Sequence, residues 1–326
     1  MKKNSLCDLL GIQYPILQGG MLWVADARLA AAVSNAGALG TLGSYAGMQP
    51  NGDPVENLRR QIHSTLKLTP KPFAVNIPLN LPASGLLIDV LLQEKVAIAV
   101  TAAGSPEIYT ELLHSAGIRV LHVIGSVSQA RSAESCGVDA VIAEGIEAGG
   151  RVGREEISLF SLLPQVVNAV DIPAVAAGGI ADGKGMVVAF ALGAEGIQMG
   201  TRFVAVDECP AHPAYKKAIL EASASDTVIT RRRTTPIRSL RSGFIKTLTA
   251  MEQSGEATDK IEKFISCNRA WETQISGDIE NGDAYAGTSV GLIQEIIPAG
   301  EVIRKIMRQY QETISRKEAF PGVTDL

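Results

Sequence analysis

The stretch Pro173–Phe203 reads PAVAAGGIADGKGMVVAFALGAEGIQMGTRF, and its pattern decides the fold. A short apolar run, Pro173–Ala177, ends in the pair Gly178-Gly179. An Ala-rich helical pattern follows. A second apolar run, Gly196–Met199, then ends in Gly200-Thr201. The order is strand, glycine turn, helix, strand, glycine turn. Glycines at two neighbouring strand ends let backbone N–H groups approach an anion with no Cβ in the way. The loops after the last two strands of a (β/α)8 barrel often hold a phosphate in this manner. The plainer reading is that these glycines only make tight turns. The duplicated turn, with a hydroxyl at Thr201, favours a phosphate.

Outward from this unit, apolar and β-branched runs recur with helical patterns between them. Strands are expected near Pro15–Gln18, Leu39–Gly43, Pro72–Ile77, Val96–Ala102, Arg119–Ile124, Ala140–Ala143, Pro173–Ala177 and Gly196–Met199. Helices are expected at Asp26–Asn35, Val55–Leu66, Ser84–Gln93, Pro106–Ser115, Val127–Ser135 and Ser158–Val170. Near-continuous apolar strands alternating with helices imply a parallel sheet covered on its outer face. Eight such units fit an α/β fold of the TIM-barrel type, a (β/α)8 barrel, better than an open doubly wound sheet. After Phe203 the alternation stops. Pro213–Ser223 and Thr247–Cys267 read as helices, Thr227–Pro236 as an extended loop and Gly277–Tyr285 as a turn-rich connection. Gly300–Ser315 reads as a last amphipathic helix. Residues 1–210 and 296–326 therefore form the barrel, and 211–295 a mainly helical insertion between strand eight and the last helix. An insertion there sits on the face where barrel enzymes carry chemistry and can cap the site. Its other use is as a helical appendage or dimer surface.

Composition narrows the function. The chain has 326 residues, 46% of them apolar, and a net charge of −4. It has no basic surplus to suggest nucleic acid or an anionic membrane surface. No run of roughly eighteen apolar residues suggests a membrane span. Residues 1–15 lack an apolar core of the signal-peptide kind, so a cytoplasmic location is expected. Cys7, Cys136, Cys209 and Cys267 have no CxxC spacing, which implies reduced thiols. His63, His114, His122 and His212 form no HxH or HxxxH pair, so no metal is expected. The expected partner is a small-molecule substrate, with a homodimer left open.

Strand ends carry the chemistry in such a barrel. The first ends in Gln18-Gly19-Gly20-Met21, followed by Trp23: room for a flat ligand under apolar groups, or a turn with a core Met and Trp. The third ends in Val75-Asn76-Ile77-Pro78, where the Asn76 amide can both give and accept hydrogen bonds at a ring edge, or cap a helix. His122, inside strand five, reads as an ordinary half-buried histidine. The sixth is the richest, running Ala143-Glu144-Gly145-Ile146-Glu147-Ala148-Gly149-Gly150-Arg151. Glu144 can accept from hydroxyls, Gly149 and Gly150 allow close backbone approach, and Arg151 follows them into the pocket.

QGGM followed by Trp, FAVN, AEGIEAGG, AAGGIADG and MGTRF occur in that order at strand ends one, three, six, seven and eight. In these motifs the chain resembles the nitronate monooxygenase (2-nitropropane dioxygenase) family. That family includes flavin-dependent enoyl-acyl-carrier-protein reductases and some NADH:quinone reductases. The resemblance implies FMN, with Gly20 and Met21 against the isoalloxazine, Asn76 on its polar edge, and Glu144 and Gly149 by the ribityl chain and ring. It places the phosphate on Gly178, Gly179, Gly200 and Thr201. It also exposes a departure, since relatives active on nitroalkanes typically carry histidine where this chain has Arg151. An arginine stays protonated and cannot serve as a general base, whereas an imidazole can.

Three activities are open to such a chain. An FMN monooxygenase of alkyl nitronates needs no base, because its substrate is already an anion that Arg151 can grip, and the family name favours this one. A reductase of an enoyl thioester or quinone, drawing on NADH or NADPH, would use Arg151 to polarise a carbonyl. There the Arg231-Arg232-Arg233 run would meet a nucleotide phosphate or carrier surface, or else be a solvated loop. An idle flavin-binding scaffold is the third, and the intact strand-end set argues against it. Arg151 has its own plainer alternative, an ion pair with Glu155 or Glu156.

Overall fold

The computed structural model describes residues 4–265 and 269–316. Eight parallel strands form its centre: β1 (Ile16–Gln18), β2 (Gly40–Gly43), β3 (Phe73–Pro78), β4 (Ile98–Ala102), β5 (Arg119–Ile124), β6 (Ala140–Glu144), β8 (Ala174–Ala177) and β9 (Gly196–Met199). Between β6 and β8 lies a two-residue strand, β7 (Gly150–Arg151), outside the barrel. The barrel strands neighbour one another in the order β1-β9-β8-β6-β5-β4-β3-β2. A parallel bridge between Leu17 and Leu39 joins the two ends and closes the cylinder. The eight expected strands are all present, and the helices between them match the expected spans to within a few residues. Pro106–Ser115 divides into a 3-10 turn and a short helix.

Side chains alternate along each strand, which explains why these strands read as unbroken apolar runs. Leu17, Ala74, Ile98, Val100, Leu121, Ala140, Ile142 and Val175 fill the barrel interior. The intervening Ile16, Val75, Ala99, Val120 and Val141 pack against the helical ring. Both sets are buried, so polarity does not alternate.

A helix the sequence reading missed, Ser5–Leu10, plugs the bottom of the barrel. Asn4 caps it by accepting from the Cys7 N–H at 2.9 Å, and Gly11 ends it in the left-handed region at φ 67°. Leu6 and Leu10 join the interior cluster. Gly196 makes room for the helix, since a Cβ there would lie 2.5 Å from a Leu6 methyl.

The insertion is mainly helical, with helices Pro213–Glu221, Gly243–Gln253 and Thr258–Ile265. The helix expected over Thr247–Cys267 is two helices broken at Gly255, whose φ is +74°; Cys267 itself lies outside the described residues. The extended loop expected at Thr227–Pro236 is instead one arm of an antiparallel pair, β10 (Thr227–Thr230) with β11 (Ile237–Leu240). The alternating TVIT and IRSL segments on either side of a turn carry that signal. β11 also pairs with β7, with Ile237 opposite Arg151. The segment expected to be a glycine-rich loop thus becomes a sheet strand, and its register is fixed by the insertion. Helix Ala299–Ser315 closes the ring against helix Gly183–Ala191. Gly183 permits the contact, because a Cβ there would meet the Ile306 carbonyl at 2.4 Å.

Candidate active site

A cavity of about 780 Å³ opens at the C-terminal ends of the barrel strands. Its lining includes every residue singled out from sequence as catalytic or cofactor-binding: Gly20, Met21, Asn76, Glu144, Gly149, Arg151, Gly178, Gly179, Gly200 and Thr201. Strand parity accounts for the polar floor. Asn76 shares the inward face of β3 with Ala74, and Glu144 shares that of β6 with Ala140 and Ile142. β3 and β6 thus each carry a polar inward side chain near the top of the barrel, where it meets the cavity.

Asn76 is buried and donates from Nδ2 to the Val100 carbonyl at 3.1 Å. Gly20 lies directly against it, because a Cβ on Gly20 would stand 2.2 Å from the Asn76 Cβ. The glycine is thus required by the asparagine that packs beneath it. Trp23 is a core side chain, 5.3 Å from the Tyr45 ring between centroids, and does not line the cavity.

Glu144 has neither hydrogen-bond nor ion-pair partner among the described residues, and burial pushes its carboxyl up to about 8. Glu147, three residues on, is engaged differently. Both its oxygens accept from the Leu159 N–H, at 3.1 and 2.9 Å, and so cap helix Leu159–Val167. Gly149 packs on the insertion, where a Cβ would meet the Gly287 nitrogen at 2.5 Å.

The two glycine turns differ in kind. Gly178 and Gly179 have φ of +99° and +73°, conformations that side-chain-bearing residues rarely adopt. Gly200 has an ordinary φ of −100°, and a Cβ there would meet no heavy atom within 4 Å. The Thr201 hydroxyl accepts from the Gly287 N–H at 3.0 Å and keeps its own proton to donate.

Arg151 lines the cavity and has no ion-pair partner among the described residues. Of its two expected alternative partners, Glu156 is taken by Arg232 at 2.6 Å, and Glu155 forms no ion pair with Arg151. Desolvation lowers the Arg151 pKa from its ordinary value, but a guanidinium remains charged at any working pH. The arginine run at 231–233 divides: Arg232 pairs with Glu156, and Arg233 stays exposed. Arg231 is turned inward, 6% exposed, and bonded to Asp283 at 2.5 Å. The matched carboxylate, with the Phe244 ring 5.9 Å from the guanidinium carbon, makes that a structural ion pair.

His122 is buried, and desolvation lowers it to about 4, so it is neutral. Its Nδ1 lies 2.7 Å from the Thr101 hydroxyl. Next to Gly104, Ala103 holds a φ of +58° on the cavity wall, a strained conformation for alanine. Sequence reasoning missed Gln198, at the end of β9, and the insertion residues Tyr285, Gly287 and Ser289, all of which line the cavity. Gln198 was legible from parity. Those from the insertion were not, because only the folded chain returns them to the barrel mouth. No group of three or more His, Cys, Asp or Glu able to hold a metal occurs among the described residues. None of the described helices is long and apolar enough to cross a membrane.

The family model described as nitronate monooxygenase matches residues 3–87 and 84–309. The (3aS,4S,5R,7aS)-5-hydroxy-7a-methyl-1-oxo-octahydro-1H-indene-4-carboxyl-CoA dehydrogenase of Rhodococcus jostii is 33% identical over 94% of this chain and 95% of its own length. Among solved structures, FabK from Thermotoga maritima is 42% identical with a TM-score of 0.90, covering 96% of this chain and 98% of its own. A nitroalkane oxidase from Streptomyces ansochromogenes is 30% identical with a TM-score of 0.81, covering 94% and 98%.

Proposed function

The chain belongs to the nitronate monooxygenase family, and from that premise we propose that it is an FMN-dependent oxidoreductase that holds the polar end of its substrate on Arg151. The cavity fits a flavin mononucleotide. The backbone at Gly178, Gly179 and Gly200, with the Thr201 hydroxyl, offers a cradle for one terminal phosphate. Glu144, a half-buried carboxyl on the cavity wall with no protein partner among the described residues, is suited to accept from ribityl hydroxyls. The amides of Asn76 and Gln198 supply mixed donors and acceptors for the ring edge, and Gly20, Met21 and Gly149 line its berth. When bound, FMN supplies hydride or single-electron transfer.

The observation that carries the reading is the unpaired Arg151 guanidinium on the cavity wall. Arg151 is exposed on the cavity wall, and an unpaired fixed cation there attracts negative charge and can hold it with charge-assisted hydrogen bonds. Of the neighbouring titratable groups, His122 is neutral and hydrogen-bonded, Glu147 caps a helix, and Glu144, raised to about 8, is left to the ribityl hydroxyls. The side chains are therefore arranged to stabilise charge on the substrate, not to remove a proton from it.

The substrate class we favour is an acyl thioester conjugated to a carbon–carbon double bond, reduced at the expense of NADH or NADPH. Arg151 would polarise its carbonyl. The likeness to a relative whose name gives a coenzyme A thioester as substrate supports this. Oxidation of alkyl nitronates with O2 is the second reading. The same fixed charge supports it, since a preformed anion needs no base. In both, residues 211–295 cap the site, because Tyr285, Gly287 and Ser289 close one wall.

The test is anaerobic stopped-flow reduction of the bound flavin by NADH and NADPH, then reoxidation by crotonyl-CoA, beside oxygen uptake with propyl nitronate. Mass spectrometry of the released flavin accompanies it. A flavin other than FMN, or no flavin after reconstitution, rejects the proposal.

A further inference from the structure

We propose that Tyr285 is a catalytic residue: its phenol O–H and the Arg151 guanidinium form a two-donor clamp on one end of the substrate, a thioester carbonyl or a nitro group. The clamp rests on the function proposed above. Tyr285 comes from the insertion yet lines the cavity. Its ring lies against the backbone of Gly150, with Cδ2 3.6 Å from where a Cβ would stand, so it neighbours Arg151. Tyr285 and Arg151 both belong to the lining of the same cavity. Among the described residues no protein acceptor takes the phenol proton. Tyr285 is half-buried on the cavity wall, and a hydroxyl there whose proton has no protein acceptor is free to donate to a ligand.

The chain maintains several costly features immediately behind this ring. Arg231 and Asp283 form an ion pair only 6% and 1% exposed. Ser239 donates to the second Asp283 oxygen, and the Arg231 amide donates to Glu252 at 2.6 Å. Arg231 holds a left-handed φ of +63°, and its Nε has no partner. Replacing a buried pair like this with apolar groups is often neutral or stabilising, so its presence calls for another explanation. Strain and incomplete satisfaction gathered at one point are characteristic of functional sites. The pair fixes the segment Asp283–Tyr285 from behind. Ser239 bridges to Tyr285, and the Tyr215 hydroxyl donates to the Tyr285 carbonyl. Arg231 and Asp283 are thus positioning residues.

The chemistry suits the geometry. Burial and Asp283 push the phenol up, Arg231 and Arg151 pull it down, and it settles at about 12. It is protonated at any working pH and serves as a donor. Two donors aimed at one oxygen stabilise the negative charge that develops there, and removing such a donor typically lowers the rate by about 10²–10³-fold.

The experiment compares the parent holoenzyme with Tyr285→Phe, using crotonyl-CoA and propyl nitronate as substrates and calorimetric binding of butyryl-CoA. Phe keeps the ring against Gly150, so flavin content and melting temperature are expected to hold. We expect kcat/KM to fall about 10²-fold. Adding Arg151→Ala should cost less than the product of the two single effects, because both donors serve the same group. Arg231→Met should lower kcat with KM little changed, and Arg231→Lys should restore part of it, a rescue that a purely structural role would not give. Should Tyr285→Phe fail to fold, Tyr285→Met and the Arg231 variants carry the comparison. An active parent whose Tyr285 and Arg231 variants stay within twofold overturns the clamp alone. A parent inert towards both substrates overturns the proposed function, and the clamp with it.

Discussion

Replacing Gly200 by alanine separates a phosphate cradle from an ordinary turn. The obvious alternative, a substitution at Gly178, is a poor probe. That residue sits at φ +99°, so any side chain strains the backbone whether or not a ligand binds there. Gly200 has φ −100° and ψ −69°, and an added Cβ meets nothing within 4 Å. The empty space it would enter belongs to the cavity. A methyl there holds a phosphate oxygen out of hydrogen-bonding range of the neighbouring N–H groups, which need roughly 2.8 Å. Losing one charge-assisted hydrogen bond costs about 1.5–3 kcal/mol, which is roughly 10- to 150-fold in affinity. Gly200 also precedes the short helix Thr201–Val204, where alanine is a poorer cap, so the stability of flavin-free protein should change by no more than about 1 kcal/mol. The assay is titration of flavin-stripped protein with FMN, followed by fluorescence quenching, beside thermal unfolding of the same sample. A weakened Kd with little change in unfolding is expected. Unchanged FMN affinity in a normally folded Gly200→Ala variant would refute the assignment of the phosphate to this turn.

Three further outcomes follow from the site. Arg151→Ala should lower kcat/KM about 10- to 150-fold, from about 1.5–3 kcal/mol of lost charge-assisted bonding, and leave unfolding unchanged because the side chain pairs with no carboxylate; Arg151→His should narrow the gap between a preformed nitronate and its neutral nitroalkane, and equal rates in all three proteins would exclude a role in substrate binding. Glu144 is raised from 4.5 to about 8 in the fold, so the folded state binds the extra proton. The stability this confers is full below 4.5 and is lost as pH rises through about 8. Thermal unfolding of flavin-free protein should show that decline, Glu144→Gln should flatten it, and a decline that persists in the variant assigns it to another group. Glu147→Ala should cost about 1 kcal/mol of stability through the lost cap on helix Leu159–Val167, and an unchanged melting temperature would show that the Leu159 N–H finds another acceptor.

Much of this protein is legible in its sequence because its elements are local. The unit Pro173–Phe203 displays strand, turn, helix and strand within a single stretch, and the same period repeated around the chain requires a closed parallel barrel. Barrel topology then carries strand ends to one face, so the sequence alone brings Asn76, Glu144, Gly178 and Gly200 together. Parity along the strands even fixes that Asn76 and Glu144 point inward. What the sequence did not disclose depends on contacts between distant segments. The pairing of β7 with β11 turns a glycine loop into a strand and sets Arg151 opposite Ile237. The run at 231–233 looks like a solvated basic patch, but Asp283, 52 residues from Arg231, draws that side chain inside. Gly20 and Gly149 look like ligand-facing glycines, yet the neighbours that require them are Asn76 and Gly287. Tyr285 enters the site only because the insertion folds back over the barrel mouth. Hydrophobic period and turn chemistry act over a few residues and can be read along the chain. Ion pairing, burial and close backbone approach depend on which remote atoms arrive, and only the tertiary structure decides that.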